Sequence, residues 1–208
     1  MKKAQMICFT IGITLLIAAL SLCIYNIHED EQGGEQAQNI LTVIKSEIPE
    51  TTESPTEKKF DLFSEYETEP VPMEETIQID DSIYIGVISI PELEIELPVM
   101  NEWSYPNLKI SPCRYKGSYL DNDMIIAAHN YRSHFGRIGE LHSGSEIIFM
   151  DVSGKIWTYE VNNIENINGT DIEAMDFGSA ESWDLTLFTC TLSGQSRVTI
   201  RANLKGQQ

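Results

Sequence analysis

An all-β barrel or sandwich is what residues 81–208 predict, on three observations. Short β-branched and aromatic runs recur: "SIYIGVISI", "IELPVM", "DMIIAAH", "SEIIFMD", "KIWTYEV", "DLTLFTC" and "RVTIRANL". Turn formers separate them, among them Pro91, "SPC", "YLDND", "HSGS", "VSGK" and "LSGQ", as expected where strands end. Sustained helical periodicity is scarce; "GRIGELH" and "TDIEAMDF" each offer a turn or two. Several short strands without a long helix point to an all-β domain.

The residues ahead of this domain differ in texture. After Lys2 and Lys3 no charge occurs from Ala4 to Ile27. A helix rises about 1.5 Å per residue, so about 20 apolar residues span a hydrocarbon layer. Residues 1–27 therefore read as a cytoplasmic N-terminus and transmembrane anchor. Lys2 and Lys3 before it, with Glu29, Asp30 and Glu31 after it, orient the N-terminus inward. The run exceeds the apolar region of a cleaved signal, and its exit "SLCIYN" lacks the small-x-small pattern of a cleavage site. In "LSLC", Leu22 stands where lipidation of Cys23 would call for a small residue.

Residues 28–80 hold 15 acidic residues and three lysines with few apolar clusters. That composition predicts a disordered acidic linker, with a marginal short helix over "NILTVIKSEI". One functional reading is that it folds back over a site on the domain. The domain itself is assigned to residues 81–208. The whole chain has 14 basic and 32 acidic residues, a formal charge of −18. Nucleic-acid binding is excluded as a function class, since phosphate tracking needs clustered cations.

Cys8 and Cys23 fall in or beside the apolar segment, leaving Cys113 and Cys190 in the rest of the chain. Around Cys190 the sequence fixes a geometry. With Ser193 and Gly194 at a turn, Leu192 opposes Gln195, Cys190 opposes Arg197, and the register runs on to Leu185 opposite Ala202. Strand side chains alternate faces. One face then carries Leu185, Leu187, Thr189, Val198, Ile200 and Ala202, and the other carries Thr186, Phe188, Cys190, Arg197, Thr199 and Arg201. The first set should face the core, and a one-residue slip would destroy the sorting. Cys190 and Arg197 become neighbours on the outward face. A guanidinium there favours a thiolate or can hold a carbonyl oxygen. Arg201, two pairs away, reads as a solvated arginine, and Thr189 needs a local partner such as a backbone carbonyl.

Cysteine chemistry on acyl groups also needs a proton donor for the leaving amine. His129 closes the apolar run Met124–Ala128, a fixed place from which to project an imidazole. His134 and His142 read as loop or short-helix residues. Their spacings match no helical pair of zinc ligands, and no metal or cofactor is expected. "NGTDIEAMDFGSAESWD" has carboxylates but no ordered calcium-ligand pattern.

"TLFTC" (186–190) resembles the Thr-Leu-x-Thr-Cys signature of sortases, membrane-anchored cysteine transpeptidases of Gram-positive surfaces. "RVTIRA" is similar to their next strand, "AAHNYRSHFGRIGEL" to their histidine segment, and "IGVISIPELEIELPV" to their opening strands. The resemblance covers residues 81–204. It implies a sortase-type eight-stranded β-barrel with short helices, and a triad of His129, Cys190 and Arg197. Cys190 would end the seventh strand and Arg197 open the eighth. Ala128 departs from the family's usual glycine before the histidine. The implied reaction is cleavage of an LPXTG-like C-terminal sorting signal on surface proteins through a thioester. The acyl group then passes to an amino group of a peptidoglycan precursor or a pilin. The competing readings are an anchored non-catalytic β-domain with a Cys113–Cys190 disulfide, and another Cys/His peptidase; a papain-like one needs its cysteine at a helix N-terminus.

Overall fold

The computed structural model describes residues 2–48, 74–177 and 182–207. Its strands are β1 (Ile77–Ile79), β2 (Ser82–Ile90), β3 (Ile95–Met100), β4 (Cys113–Lys116), β5 (Met124–Ala128), β6 (Glu146–Asp151), β7 (Ile156–Asn168), β8 (Leu185–Cys190) and β9 (Ser196–Gln207). They pair in the order β1-β2-β3-β4-β5-β8-β9-β7-β6, and β6 pairs again with β2. That second pairing closes β2 to β9 into the expected eight-stranded barrel, with β1 as a short strand on the end of β2. Closure satisfies backbone groups that an open edge would expose. At the seam Gly86 lies opposite Asp151. A Cβ there would come within 2.2 Å of the Met150 carbonyl oxygen, so only glycine lets the two strands meet.

The barrel interior is filled as the hairpin pattern requires. Leu185, Leu187, Ile200 and Ala202 are fully buried in one cluster with Ile88, Leu97, Ile126 and Phe149. Trp157 anchors the same cluster, its ring 4.6 Å from that of Tyr119. The observed pairing of β8 with β9, from Leu185 with Ala202 to Cys190 with Arg197, is the register derived from the sequence.

Three helices accompany the strands among the described residues: α1 (Lys2–Glu47), α2 (Tyr105–Ile110) and α3 (Ile172–Phe177). Ser104 caps α2 by accepting from the Asn107 backbone N–H at 3.1 Å, and Pro106 occupies its first turn. α3 falls within "TDIEAMDF", and "GRIGELH" supplies a 3₁₀ turn at Ile138–Glu140.

α1 corrects the expected linker. The helix does not stop at residue 27 but runs on to Glu47. Ala37, Leu41 and Ile44 recur at helical spacing and are buried, the last two in a cluster with Tyr84, Val87, Met100 and Cys113. Lys45 pairs with Glu96 at 2.7 Å, and Gln38 donates to the Glu96 carbonyl oxygen at 3.1 Å. Packing of this stripe outweighs the self-repulsion that the acidic composition suggests. The folded part also begins before residue 81, because β1 joins the sheet and Glu74 pairs with Arg114. Residues 49–73 of the expected linker lie outside the described residues.

Candidate active site

β5 and β8 run parallel, and their last paired residues are Ala128 and Thr189. The Thr189 hydroxyl donates to the Ala128 carbonyl oxygen at 2.9 Å, joining the two strand ends. The next residue of each chain segment is His129 and Cys190. On the other side of β8, Cys190 opposes Arg197 of β9. The three residues therefore leave three adjacent strands side by side, at a strand spacing of about 4.8 Å. All three line one cleft of about 220 Å³. Ala128 keeps an ordinary strand conformation without a positive φ, so its side chain is no obstacle at a position the family usually gives to glycine.

Aromatic rings make one wall. Trp103 lies 5.8 Å from Tyr105 and 5.7 Å from Tyr115, and Tyr115 packs edge-on to Phe188 at 5.4 Å. Asn168, Gly169, Ile172 and Met175 line the cleft from the opposite side. The cleft thus joins an apolar channel to a thiol, an imidazole and a guanidinium. Phe188 was accessible to sequence reasoning, since it alternates with Cys190. Trp103 and Tyr105 were signalled only by aromatic density in "NEWSYPNLK".

Cys190 is a free, half-buried thiol. Arg197 Nη1 donates to the carbonyl oxygens of Gly194 and Ser196 at 3.0 and 3.2 Å, so the guanidinium is braced by its own turn. A Cβ at Gly169 would sit 3.0 Å from the same nitrogen. His129 is half-buried and stacks on Tyr131, with ring centroids 4.7 Å apart and planes at 19°. Burial first, then the Lys109 charge, hold its pKa below the usual imidazole value, while Glu29 opposes them. An imidazole so depressed is more often neutral at pH 7 and ready to accept a proton.

Two further histidines, His134 and His142, stay outside the cleft. His142 is exposed, 3.4 Å from Glu92. His134 is fully buried and packs against Tyr131, and burial pushes its pKa down to about 4. Unfolding lets this imidazole take up a proton at its usual value near 6.5, so stability is intact above that pH and declines as the pH falls toward 4. The loss between pH 7 and pH 5 should be about 2 kcal/mol. Urea denaturation at the two pH values measures it, and His134→Phe should remove most of the difference.

Arg201 corrects the solvated arginine expected on the outward face. It is fully buried together with Thr186 and Thr199. Its fork donates to Glu165 Oε1 (3.0 Å), Thr186 Oγ1 (2.7 Å) and the Ala174 carbonyl oxygen (2.6 Å). Its carbon centre lies 5.0 Å from the Trp183 ring centroid. α3 and Trp183 cover this half of the face, leaving the half with Phe188, Cys190 and Arg197 open.

The disulfide reading also fails. Cys113 opposes Ala127, which opposes Phe188, so two strand spacings separate Cys113 from β8. About 9–10 Å exceeds the Cα separation that a disulfide tolerates. Both thiols are free, and burial raises that of Cys113 to about 12.

Thr189→Val tests the joint between the strand ends. It deletes a buried hydrogen bond and leaves a carbonyl without that donor, which should cost about 1–3 kcal/mol. Denaturation midpoints measure it; a change below about 0.3 kcal/mol would remove Thr189 from this role.

The Sortase domain profile matches residues 88–205. The chain is 25% identical over 177 residues to Sortase A of Streptococcus agalactiae serotype III (strain NEM316), covering 80% of this chain and 70% of that protein. It is 27% identical over 107 residues to Sortase D of Bacillus subtilis (strain 168), covering 50% of this chain and 53% of that one. Among solved structures, Sortase C1 of GBS Pilus Island 1 superposes with a TM-score of 0.53 at 19% identity, covering 62% of this chain and 67% of that one. A Clostridium perfringens sortase C with the C-terminal cell wall sorting motif gives 0.51 at 24% identity, covering 59% and 71%. With the profile spanning more than half of its length and the barrel closing as theirs does, this chain belongs to the sortase family of cysteine transpeptidases.

Proposed function

We propose that this protein cleaves an LPXTG-like sorting signal and joins the upstream protein to an amine, with Cys190 as nucleophile, His129 as acid and base, and Arg197 as the oxyanion partner. The observation that carries the reading is the departure of these three residues from adjacent strand ends into one cleft. Thiolate Cys190 attacks the scissile carbonyl carbon, and the electron pair moves to the oxygen beside Arg197. Collapse of this intermediate breaks the C–N bond while protonated His129 gives its proton to the departing amine. The thioester is then attacked by an amino group of a peptidoglycan precursor or a pilin. His129 takes the proton from that amine, and Cys190 leaves as thiolate.

The aromatic wall suits the leucine and proline of such a signal, because apolar burial contributes about 25 cal/mol per Å². α1 is long and apolar enough to cross a membrane, and residues 5–27 of it are exposed. In this reading it is a single-pass anchor with its N-terminus in the cytoplasm and the barrel on the outer face.

The test is transpeptidation by the full chain in detergent micelles. A sorting-signal peptide with added amine should give the cut N-terminal fragment and its amide with the amine, both visible by mass spectrometry. Failure of all candidate sorting peptides and amines to give either product would contradict the proposed activity.

A further inference from the structure

Two residues beyond the uncharged segment, α1 touches the loop that follows His129. Asp30 accepts from the backbone N–H groups of Arg132 and Ser133, each at 3.0 Å, and the Ser133 hydroxyl donates to the Asp30 carbonyl oxygen at 3.0 Å. Glu29 Oε2 accepts from the Tyr131 hydroxyl and from Lys109 Nζ, both at 3.1 Å. One turn further on, Gly33 and Gly34 let the helix come close. A Cβ at Gly33 would stand 2.9 Å from the Lys109 carbonyl oxygen and 3.2 Å from the Tyr131 ring; one at Gly34 would stand 2.9 Å from Ser133 Cβ. Paired glycines inside a helix are unfavourable, and here they make room for that contact.

The contact ends at the imidazole. Tyr131 has His129 stacked on its ring, His134 tilted against it at 5.4 Å, and Gly33 near its edge carbons. Its hydroxyl is held by Glu29. A ring fixed at its edge and at its tip fixes the plane of whatever stacks on it. The charged and titratable groups around His129 are Tyr131 and His134 from its own loop, Lys109 from α2, Glu29 from α1, and Cys190 and Arg197 from β8 and β9. α1 therefore supplies a carboxylate to the surroundings of the imidazole.

We propose that Glu29 and Asp30 are positioning residues for His129, so that the membrane-emerging helix is a working part of the active site. This rests on the reading of His129 as the acid and base. Asp30 holds the 130–134 loop by its backbone, and Glu29 sets the Tyr131 ring and through it the imidazole plane. Glu29 also offsets the Lys109 cation, keeping the protonated imidazole accessible for the leaving amine.

The test uses the full chain in detergent micelles, with peptide cleavage kinetics and NMR titration of the ¹³C-labelled His129 ring. Glu29→Ala and Asp30→Ala should each lower kcat about tenfold, part of the loss that misplacing a reacting group brings, with KM changed by less than about twofold. Glu29→Gln keeps an acceptor for the Tyr131 hydroxyl and should restore most of the rate. It should also move the His129 titration to lower pH, because Lys109 is then unopposed, whereas Lys109→Met should move it to higher pH.

Unchanged kcat in Glu29→Ala and Asp30→Ala would overturn the proposal. So would a titration that rises in Glu29→Gln, since that is the direction expected from simple undocking and exposure. Full activity of His129→Ala would instead overturn the catalytic reading while leaving the titration result standing, so the two failures are distinguishable.

Discussion

Replacing Cys190 or His129 by alanine should lower cleavage of a sorting-signal peptide by about 10⁴-fold or more, to the background of the assay. In the proposed mechanism the sulfur forms the covalent bond and the imidazole moves every proton, so neither has an understudy in the cleft. His134 cannot replace His129, because it is buried under Tyr131. Cys113 cannot replace Cys190, because it lies in the core with a raised pKa. The double variant should be no worse than either single one, since residues acting as a unit do not add. Arg197→Ala should cost about 10²–10³-fold, the usual loss for one oxyanion donor. Arg197→Lys should recover little, because an ammonium lacks the planar fork. Peptide cleavage followed by chromatography decides all of these; substantial activity in Cys190→Ala would end the covalent mechanism.

The largest effect on stability is expected at Arg201. Its guanidinium joins four parts of the chain: Glu165 of β7, Thr186 of β8, Ala174 of α3 and the Trp183 ring. Arg201→Met keeps much of the volume but removes the charge and the three donors. Breaking a buried pair from one side typically costs about 3–5 kcal/mol, and the buried Thr186 hydroxyl loses this partner as well. Urea denaturation should show that loss. Because α3 carries Ile172 and Met175 into the cleft, KM for the peptide should rise in the same variant. A cost below about 1 kcal/mol would mean that the fork contributes no more than a surface pair.

What was legible in the sequence was what local alternation decides. The β8–β9 register followed from a turn pair and a clean sorting of Leu185, Leu187, Ile200 and Ala202 away from Cys190 and Arg197. His129 was legible as the residue ending an apolar strand. The hydroxyl of Thr189 found the backbone carbonyl that its core-facing position demanded. What was not legible depends on distant segments meeting. Arg201 sits on the face that alternation calls outward, and α3 and Trp183, folding over it, make that face interior. The second half of α1 carries Ala37, Leu41 and Ile44 as a helical stripe, but averaged over residues 28–80 the carboxylates conceal it. The contacts of Glu29 and Asp30 with residues 131–133 cross about one hundred positions of sequence, and nothing in either segment names the other.

In the proposed reaction one sulfur, flanked by an imidazole and a guanidinium from the neighbouring strands, carries the acyl group. The most direct measurement is peptide-mapping mass spectrometry of the full chain, quenched in acid during turnover of a sorting-signal peptide without added amine. A thioester mass increment is expected on the fragment containing Cys190, lost on hydroxylamine treatment and lacking from the fragment with Cys113. Turnover with no adduct on Cys190, or with the increment on another residue, would contradict it.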